Sequence, residues 1–559
     1  MSILRRFEAR CVVLIERLES VRVGLWGWLF SFSAIVVLRN FFEGLSQRAL
    51  NILDADNAMF FAHAWGFYFV AFVGIILILR FMTGEDIRRV SAFVLFLTPI
   101  ILLPPALDFF ATSGAGGVMA YVQPATSLDS WSNVLRAFSD FSFWGPFGLF
   151  FAPAGEVADG LVNRMNPHTL KGVGMNFGIR IEVMLLFIIL IWYVHLKARS
   201  AGRVLVTLAA LYAGLFVLSA FPYLITETLG MSVYALFTGA QAVNPAFRGV
   251  NTVLFGCFFA LAVLLMLLWS WAHDRRKFSA AWKNVRFGRL LIGNFGMLTA
   301  GLLVGISASP VPFAPNVFDK LLIVFAYASV FFGWIWAVTR NDLADERGDR
   351  VSESRRPLPT GALSRDDMRE MSRVAFVLSF VAALLVGFRF FLLRLVWASL
   401  AYLYSEPPFR LKRLPLIPNF VLAGAYLMTL VAGYMLIAGN SVFDPPAGMV
   451  LMVLVALPLL MEFKNIKDYE GDRVDGIATI PVLFGLERGK RIIAVLGALA
   501  FLLLPFAYPA RAAQLFAGGA ALALWYVYAV IARPYREWRV FVALAAGVIV
   551  VAWLGMSGA

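Results

Sequence analysis

Residues 321–350 read LLIVFAYASVFFGWIWAVTRNDLADERGDR. About twenty apolar residues, enough to cross a bilayer core as a helix, run straight into a dense charged cluster. If the helix continues, Asp342, Asp345 and Asp349 fall at i, i+3 and i+7 and share one face. A second cluster, KDYEGDRVDG at 467–476, follows another apolar run and puts Asp468, Asp472 and Asp475 on one face in the same way. Carboxylates gathered at membrane-helix ends repel one another unless a cation sits among them. Oxygen-only ligands suit Mg²⁺, which is usually held by a few carboxylates together with waters and substrate phosphates. Two such faces with Arg and Lys close by predict a site for a Mg²⁺–diphosphate.

The chain around these clusters is that of a membrane protein. Of its 559 residues 61% are hydrophobic and only 15% charged, with a mean hydropathy of +0.79. These values exclude a soluble enzyme, a disordered chain and a disulfide scaffold. The expected fold class is an all-α polytopic bundle. Six spans are predicted in the first half, near 23–38, 58–79, 90–107, 177–196, 204–222 and 250–272. Nine are predicted in the second, near 290–309, 318–339, 372–388, 391–404, 416–438, 447–463, 490–508, 513–532 and 538–556. The stretch 141–152 is too short and too broken by Gly and Pro to span, and reads as re-entrant or interfacial. Residues 1–22 interleave Arg5, Arg6, Arg10 and Arg17 with apolar side chains, the pattern of an interfacial amphipathic helix and not of a cleavable signal.

The net charge of +14 follows from topology and does not call for nucleic acid as a partner. With residue 1 in the cytoplasm, the second half places most of its Lys and Arg in cytoplasmic loops. Lys320, Arg389, Arg394 and Arg511 are assigned to the other side. Both acidic clusters then face the cytoplasm. Cys11 and Cys257 are too far apart in sequence for a zinc pattern, and the four histidines show no ligand spacing and are read as packing residues. The basic stretch 273–289 marks a cytoplasmic linker between a domain at 1–272 and another at 290–559.

The second half, about 280–559, resembles the UbiA superfamily of intramembrane prenyltransferases. NDLADERGD (341–349) fits the first signature, NDxxDxxxD, at every specified position. RPLPTG (356–361), YSEPPFRLKR (404–413) and KDYEGDRVDGIATIPVLFG (467–485) resemble three further family segments in the same order. A second acidic motif often begins with Asp, where this chain has Asn465, followed by Asp468 and Asp472. Asn offers a metal an oxygen but no charge.

The resemblance implies a nine-helix UbiA-like bundle and Mg²⁺-dependent transfer of a polyprenyl group from an allylic diphosphate to a hydrophobic or aromatic acceptor. It implies Asn341, Asp342, Asp345, Asp349, Asp468 and Asp472 as metal ligands, with Asp342, Asp345, Asp468 and Asp472 the catalytic acids. Arg350, Arg356, Arg410, Lys412 and Lys467 are the implied diphosphate ligands. Tyr402, Tyr404, Trp334 and Trp336 stand near the right helix ends to wall a carbocation pocket. Two other functions fit parts of the pattern: phosphoribosyl transfer to a polyprenyl phosphate, and cation-coupled transport. Acids at span ends beside basic loops favour diphosphate binding over transport. The first half shows no known family. Its polar candidates are Arg39, Asn40, Glu43, Asp54, Asp56, Asp108, Arg180 and Glu182. The sequence leaves the acceptor, the prenyl length and the oligomeric state open.

Overall fold

The structure, a computed structural model, describes residues 3–47, 55–111, 130–140, 177–228, 250–309, 313, 315, 317–352, 355–414, 417–438, 445–507 and 509–556. Among these residues helix is the only regular secondary structure, and twelve helices are long and apolar enough to cross a membrane. The protein is thus an integral, multi-pass membrane protein. The predicted stretch 141–152 lies outside the described residues, as do the backbone around Asp54 and the side chains of Asp56, Asp108, Arg180 and Asp475. The described residues fall into two compact units that change over between Arg275 and Arg276.

The first unit opens with the helix Ile3–Ser20, which leaves Phe7 and Leu14 exposed along with its arginines. Six spans follow: Leu25–Glu43, Phe61–Thr83, Ile87–Leu107, Ile181–Ala198, Ala201–Ser219 and Thr252–His273. Aromatic rings fill its core, with Trp28 stacked on Phe32 and Trp65 on Phe69. The first span runs past its predicted end at residue 38 and buries Arg39, Asn40 and Glu43. The i, i+4 ion pair of Arg39 with Glu43 makes that burial tolerable, and the guanidinium also lies 5.1 Å from the Tyr68 ring.

In the second unit, six more helices meet the spanning criterion: Phe287–Ala308, Phe318–Ala344, Ile417–Met435, Ala447–Lys467, Leu486–Phe506 and Pro509–Ile531. Helices Arg365–Val386, Phe388–Ser405 and Glu537–Met556 stand at the other predicted places without meeting it. The first two are split by Gly387 at φ +143°, a conformation that demands glycine. Arg394, assigned from sequence to the side opposite the cytoplasm, is buried within Phe388–Ser405 and packs 4.1 Å from the Trp397 ring. The predicted linker is itself largely helical, over Arg275–Lys283, and belongs to this unit from Arg276 onward.

Small residues set how these helices meet. A side chain at Gly301 would strike the Leu430 carbonyl, and one at Gly433 the Leu298 carbonyl, so helices Gly296–Ala308 and Ile417–Met435 touch backbone to backbone. Leu291–Phe295, just before Gly296, forms a π-helical turn.

Candidate active site

Both acidic motifs sit where a spanning helix gives way to a short one. Val317–Ala344 ends in Asn341 and Asp342 and is followed by Glu346–Ser352. Lys464–Lys467 leads through Asp468 into Tyr469–Asp475, which stops at Gly476 with φ +68°. The two short helices pack against each other, so the motifs share one end of the bundle.

The first motif comes with its own cations. Asp342, 2% exposed, accepts from Asn284 Nδ2 at 3.0 Å and pairs with Arg286 and, at 3.5 Å, with Arg356. Asp345 pairs with Arg410 at 2.9 Å and Lys412 at 2.5 Å. Asp349 pairs with Arg356. The Asn341 carbonyl accepts from Lys412 Nζ at 3.0 Å and Ser405 Oγ at 3.1 Å. Burial, with Asp342 and Asp345 near, still pushes the Asp349 carboxyl up to about 6 against the pull of Arg356. Burial also draws the Lys412 ammonium below its ordinary range, against the attraction of Asp345.

The second motif places Asp468 and Asp472 together. Burial and the neighbouring Asp468 push Asp472 up to about 7, with Asp345 adding to the repulsion and Lys464 opposing it. That Asp472 senses both Asp468 and Asp345 shows the two acidic faces acting on one space. The space is a cavity of about 810 Å³. Asn341, Asp345, Asp349, Asp468, Asp472 and Lys412 line its polar end, with Arg356 beside them. Its walls continue through Tyr404, Tyr426 and Trp334 to apolar residues such as Met449, Val453, Phe501 and Leu504. Along Ile417–Met435 the lining extends from Pro418 to Leu430, twelve residues or about 18 Å of helix.

Residues 297–556 match the UbiA prenyltransferase family. A digeranylgeranylglyceryl phosphate synthase of Thermococcus sibiricus is 32% identical over 197 residues, covering 35% of this chain and 67% of the relative. The chain belongs to the UbiA prenyltransferase family. It is an intramembrane prenyltransferase. A chloroplastic chlorophyll synthase of Avena sativa is 33% identical over 168 residues, 28% of this chain and 42% of that protein. A solved UbiA homologue of Archaeoglobus fulgidus bound to GPP and Mg²⁺ shares 21% identity, covers 50% of this chain and 99% of its own, and superposes with a TM-score of 0.39.

Not every residue implied by the UbiA resemblance reaches the cavity. Arg350 has a side chain 62% exposed and pairs with Glu346 at 2.8 Å. Lys467 is exposed and lies 3.8 Å from Glu537. Asp342 and Arg410 sit behind the lining, where each holds a partner that faces in. Of the aromatics, Tyr404 and Trp334 line the cavity, while Trp336 packs in a core with Trp397 and Tyr402 is exposed. Sequence reasoning missed Asn284 and Arg286, whose one signal was the basic density of a stretch taken for a linker. It also missed Lys464, which lies 3.3 Å from the Tyr404 hydroxyl.

The donor set suits Mg²⁺. Its atoms are oxygens, and Asp349 Oδ2 is buried with no hydrogen-bond partner, as a metal-facing oxygen would be. Among the described residues no three acid, His or Cys side chains come close enough to hold a metal alone. An ion here would need phosphate or water oxygens to complete its shell.

Proposed function

We propose that the second unit transfers a polyprenyl group from an allylic diphosphate to an acceptor bound in the same cavity, with Mg²⁺ on the diphosphate. The carrying observation is the convergence of two acidic motifs and a set of Arg and Lys on the polar end of one long apolar cavity. That depth favours a polyprenyl donor over a phosphoribosyl one, whose sugar has no use for about 18 Å of apolar wall.

Asn341, Asp345, Asp349, Asp468 and Asp472 would hold the metal, which neutralises the leaving diphosphate when bound. Arg356 and Lys412 offer donors to the phosphate oxygens, and Arg410 holds Asp345 in place. The allylic C–O bond breaks with its electron pair going to the diphosphate, and positive charge grows on the prenyl carbon. Apolar walls keep water away from that carbon, and Tyr404, Tyr426 and Trp334 present electron-rich rings toward the space. The acidic motifs face the cytoplasm in this reading, on the side where Lys and Arg concentrate.

The direct test is to incubate the purified protein with geranylgeranyl diphosphate, Mg²⁺ and a membrane lipid extract, and to follow diphosphate release and prenylated products by mass spectrometry. Mg²⁺-dependent product is expected. Release that ignores Mg²⁺ would overturn the metal assignment. We also infer that residues 274–559 carry the whole donor site, because Asn284 and Arg286 fall inside that fragment. Purified in detergent, it should bind the donor in the presence of Mg²⁺. A folded fragment without binding would show that the first unit completes the site.

A further inference from the structure

The proposed function uses the second unit and leaves the opening helix of the first, Ile3–Ser20, without a task. At about 100° per residue, Ile15 and Glu19 fall on one side of it. Both are buried, and Glu19 accepts from the Tyr193 hydroxyl and from Lys197 Nζ, each at 2.7 Å. The helix packs on Ile87–Leu97 and Phe177–Ala198. Arg6, Arg10 and Arg17, at i, i+4 and i+11, lie within about 40° of one another and nearly opposite Glu19. All three are exposed. Phe7 and Leu14, at i and i+7, form a second stripe beside them and are 56% and 58% exposed. The ionic anchor at Glu19 therefore turns a basic stripe and an apolar stripe outward together.

Exposed arginines elsewhere have acids of their own. Arg350 and Arg365 pair with Glu346, Arg369 with Asp366 and Arg373 with Glu370. Among the described residues no carboxylate pairs with Arg6, Arg10 or Arg17. Only residues 21–24 separate this helix from the span Leu25–Glu43. Trp26, 37% exposed, stands in the first turn of that span, and indoles collect at the membrane–water boundary. The two stripes are thus held at headgroup depth.

We propose that Ile3–Ser20 is a docking surface for anionic phospholipid. Phe7 and Leu14 enter the outer acyl region, and Arg6, Arg10 and Arg17 meet the lipid phosphates beside them. A guanidinium matches two phosphate oxygens at once. In a zwitterionic lipid the ammonium next to the phosphate cancels most of that attraction. The apolar stripe favours lipid over an acidic protein, whose charged surface would have to cover Phe7 and Leu14. Each arginine contributes about a factor of five near an anionic membrane surface, so three give a preference of roughly 100-fold over zwitterionic lipid.

The test uses the full chain with Cys11→Ser, Cys257→Ser and a nitroxide on Leu14→Cys. It is reconstituted into discs of phosphatidylcholine carrying rising fractions of phosphatidylglycerol with the same acyl chains. Accessibility of the nitroxide to oxygen, against a water-soluble nickel complex, reports whether position 14 sits among acyl chains or in water. The reading should shift from water to acyl, with half-effect at roughly one phosphatidylglycerol per 100 lipids. Arg6→Gln, Arg10→Gln and Arg17→Gln together should abolish the shift with the melting temperature unchanged, and each alone should raise the required fraction about fivefold. Removing the same charge elsewhere, with Arg365→Gln, Arg369→Gln and Arg373→Gln, should leave the shift in place. Raised salt should weaken it, and inorganic phosphate at matched ionic strength should do no more than chloride. A nitroxide already buried in pure phosphatidylcholine, one left in water at every fraction, or a shift that survives the triple substitution overturns the proposal. Equal loss in the control triple would reduce the effect to net charge and also overturn it. Specific reversal by inorganic phosphate would do so too, by assigning the stripe to free phosphate.

Discussion

The two acidic motifs have similar spacing and different surroundings. Arg286, Arg356, Arg410 and Lys412 reach the first, and each of its three carboxylates has a cation against it. At the second, Asp472 lies close enough to Asp468 and Asp345 to be pushed up to about 7, with Lys464 as the opposing charge. Spacing alone therefore says that a face is acidic, and the rest of the fold decides whether that acidity is already spent. The first motif is a preassembled ion lattice; in the proposed reading its cations would turn to phosphate once a metal takes their carboxylates.

The sharpest way to break this contrast is within the first motif. Asp345 faces the cavity and Asp342 is sealed behind it. Asp345→Ala should cut turnover by roughly 100-fold or more, about 3 kcal/mol on the barrier, in a protein that still folds. Asp342→Ala should also destroy activity, but through the fold. It strands two buried arginine contacts, and removing one partner of such a pair costs about 3–5 kcal/mol. Thermal unfolding in detergent separates the two, and an Asp342→Ala protein as stable as the parent would refute the lattice.

Next in size is Arg286→Met, which leaves Asp342 with Arg356 and Asn284. A several-fold loss of donor affinity and a lower melting temperature are expected, read by binding titration and thermal unfolding. An unchanged protein would return the stretch around Arg286 to the status of a linker.

The contrast should also appear in pH. The folded values of about 7 for Asp472 and about 6 for Asp349 lie above the ordinary 3.8 of an aspartate. A raised acid stabilises the fold while protonated, and that contribution is lost as pH climbs from near 4 to near 7. Metal-free protein should thus weaken over this window. Added Mg²⁺ should restore stability most at the upper end and release protons as it binds below pH 7. Melting temperatures across pH with and without Mg²⁺ test the sign, and metal-free protein that gains stability as pH rises through the window would reverse it.

The smallest effect concerns Asn465. From sequence, an Asp there looks like a restored metal ligand. In the structure it would replace an amide that donates to Glu462 with a carboxylate facing it. Asn465→Asp should lower turnover several-fold and shift the Mg²⁺ requirement upward, and steady-state rates over a Mg²⁺ series would show it. Tighter Mg²⁺ binding with full turnover would restore the sequence-based view.

The acids were legible because charge inside an apolar chain is costly enough to stand out, and because the pattern occurs twice. The spans were legible for the same reason, apart from their ends, which move where an i, i+4 pair such as Arg39–Glu43 lets charge go inside. Arg286 and Asn284 were not, since their meeting with Asp342 spans more than fifty residues and no local period encodes it. Arg350 and Lys467 misled in the opposite way, because sequence proximity to an acid does not say which side of a short helix faces the cavity.

The glycine seams have a further consequence, for traffic. Gly301 and Gly433 weld Gly296–Ala308 to Ile417–Met435, and Gly497 and Gly519 draw Leu486–Leu502 and Ala512–Ile531 together around Tyr526 and the Phe501 carbonyl. Backbones pressed this closely leave no room for a hydrocarbon tail to slip between them. Seams of this kind shut parts of the enclosure to the surrounding lipid, so in the proposed reading a prenyl tail would enter between other helices. The polar mouth by the acids and the lipid-facing doorway would then be separate entrances, one for a charged head and one for an oily tail.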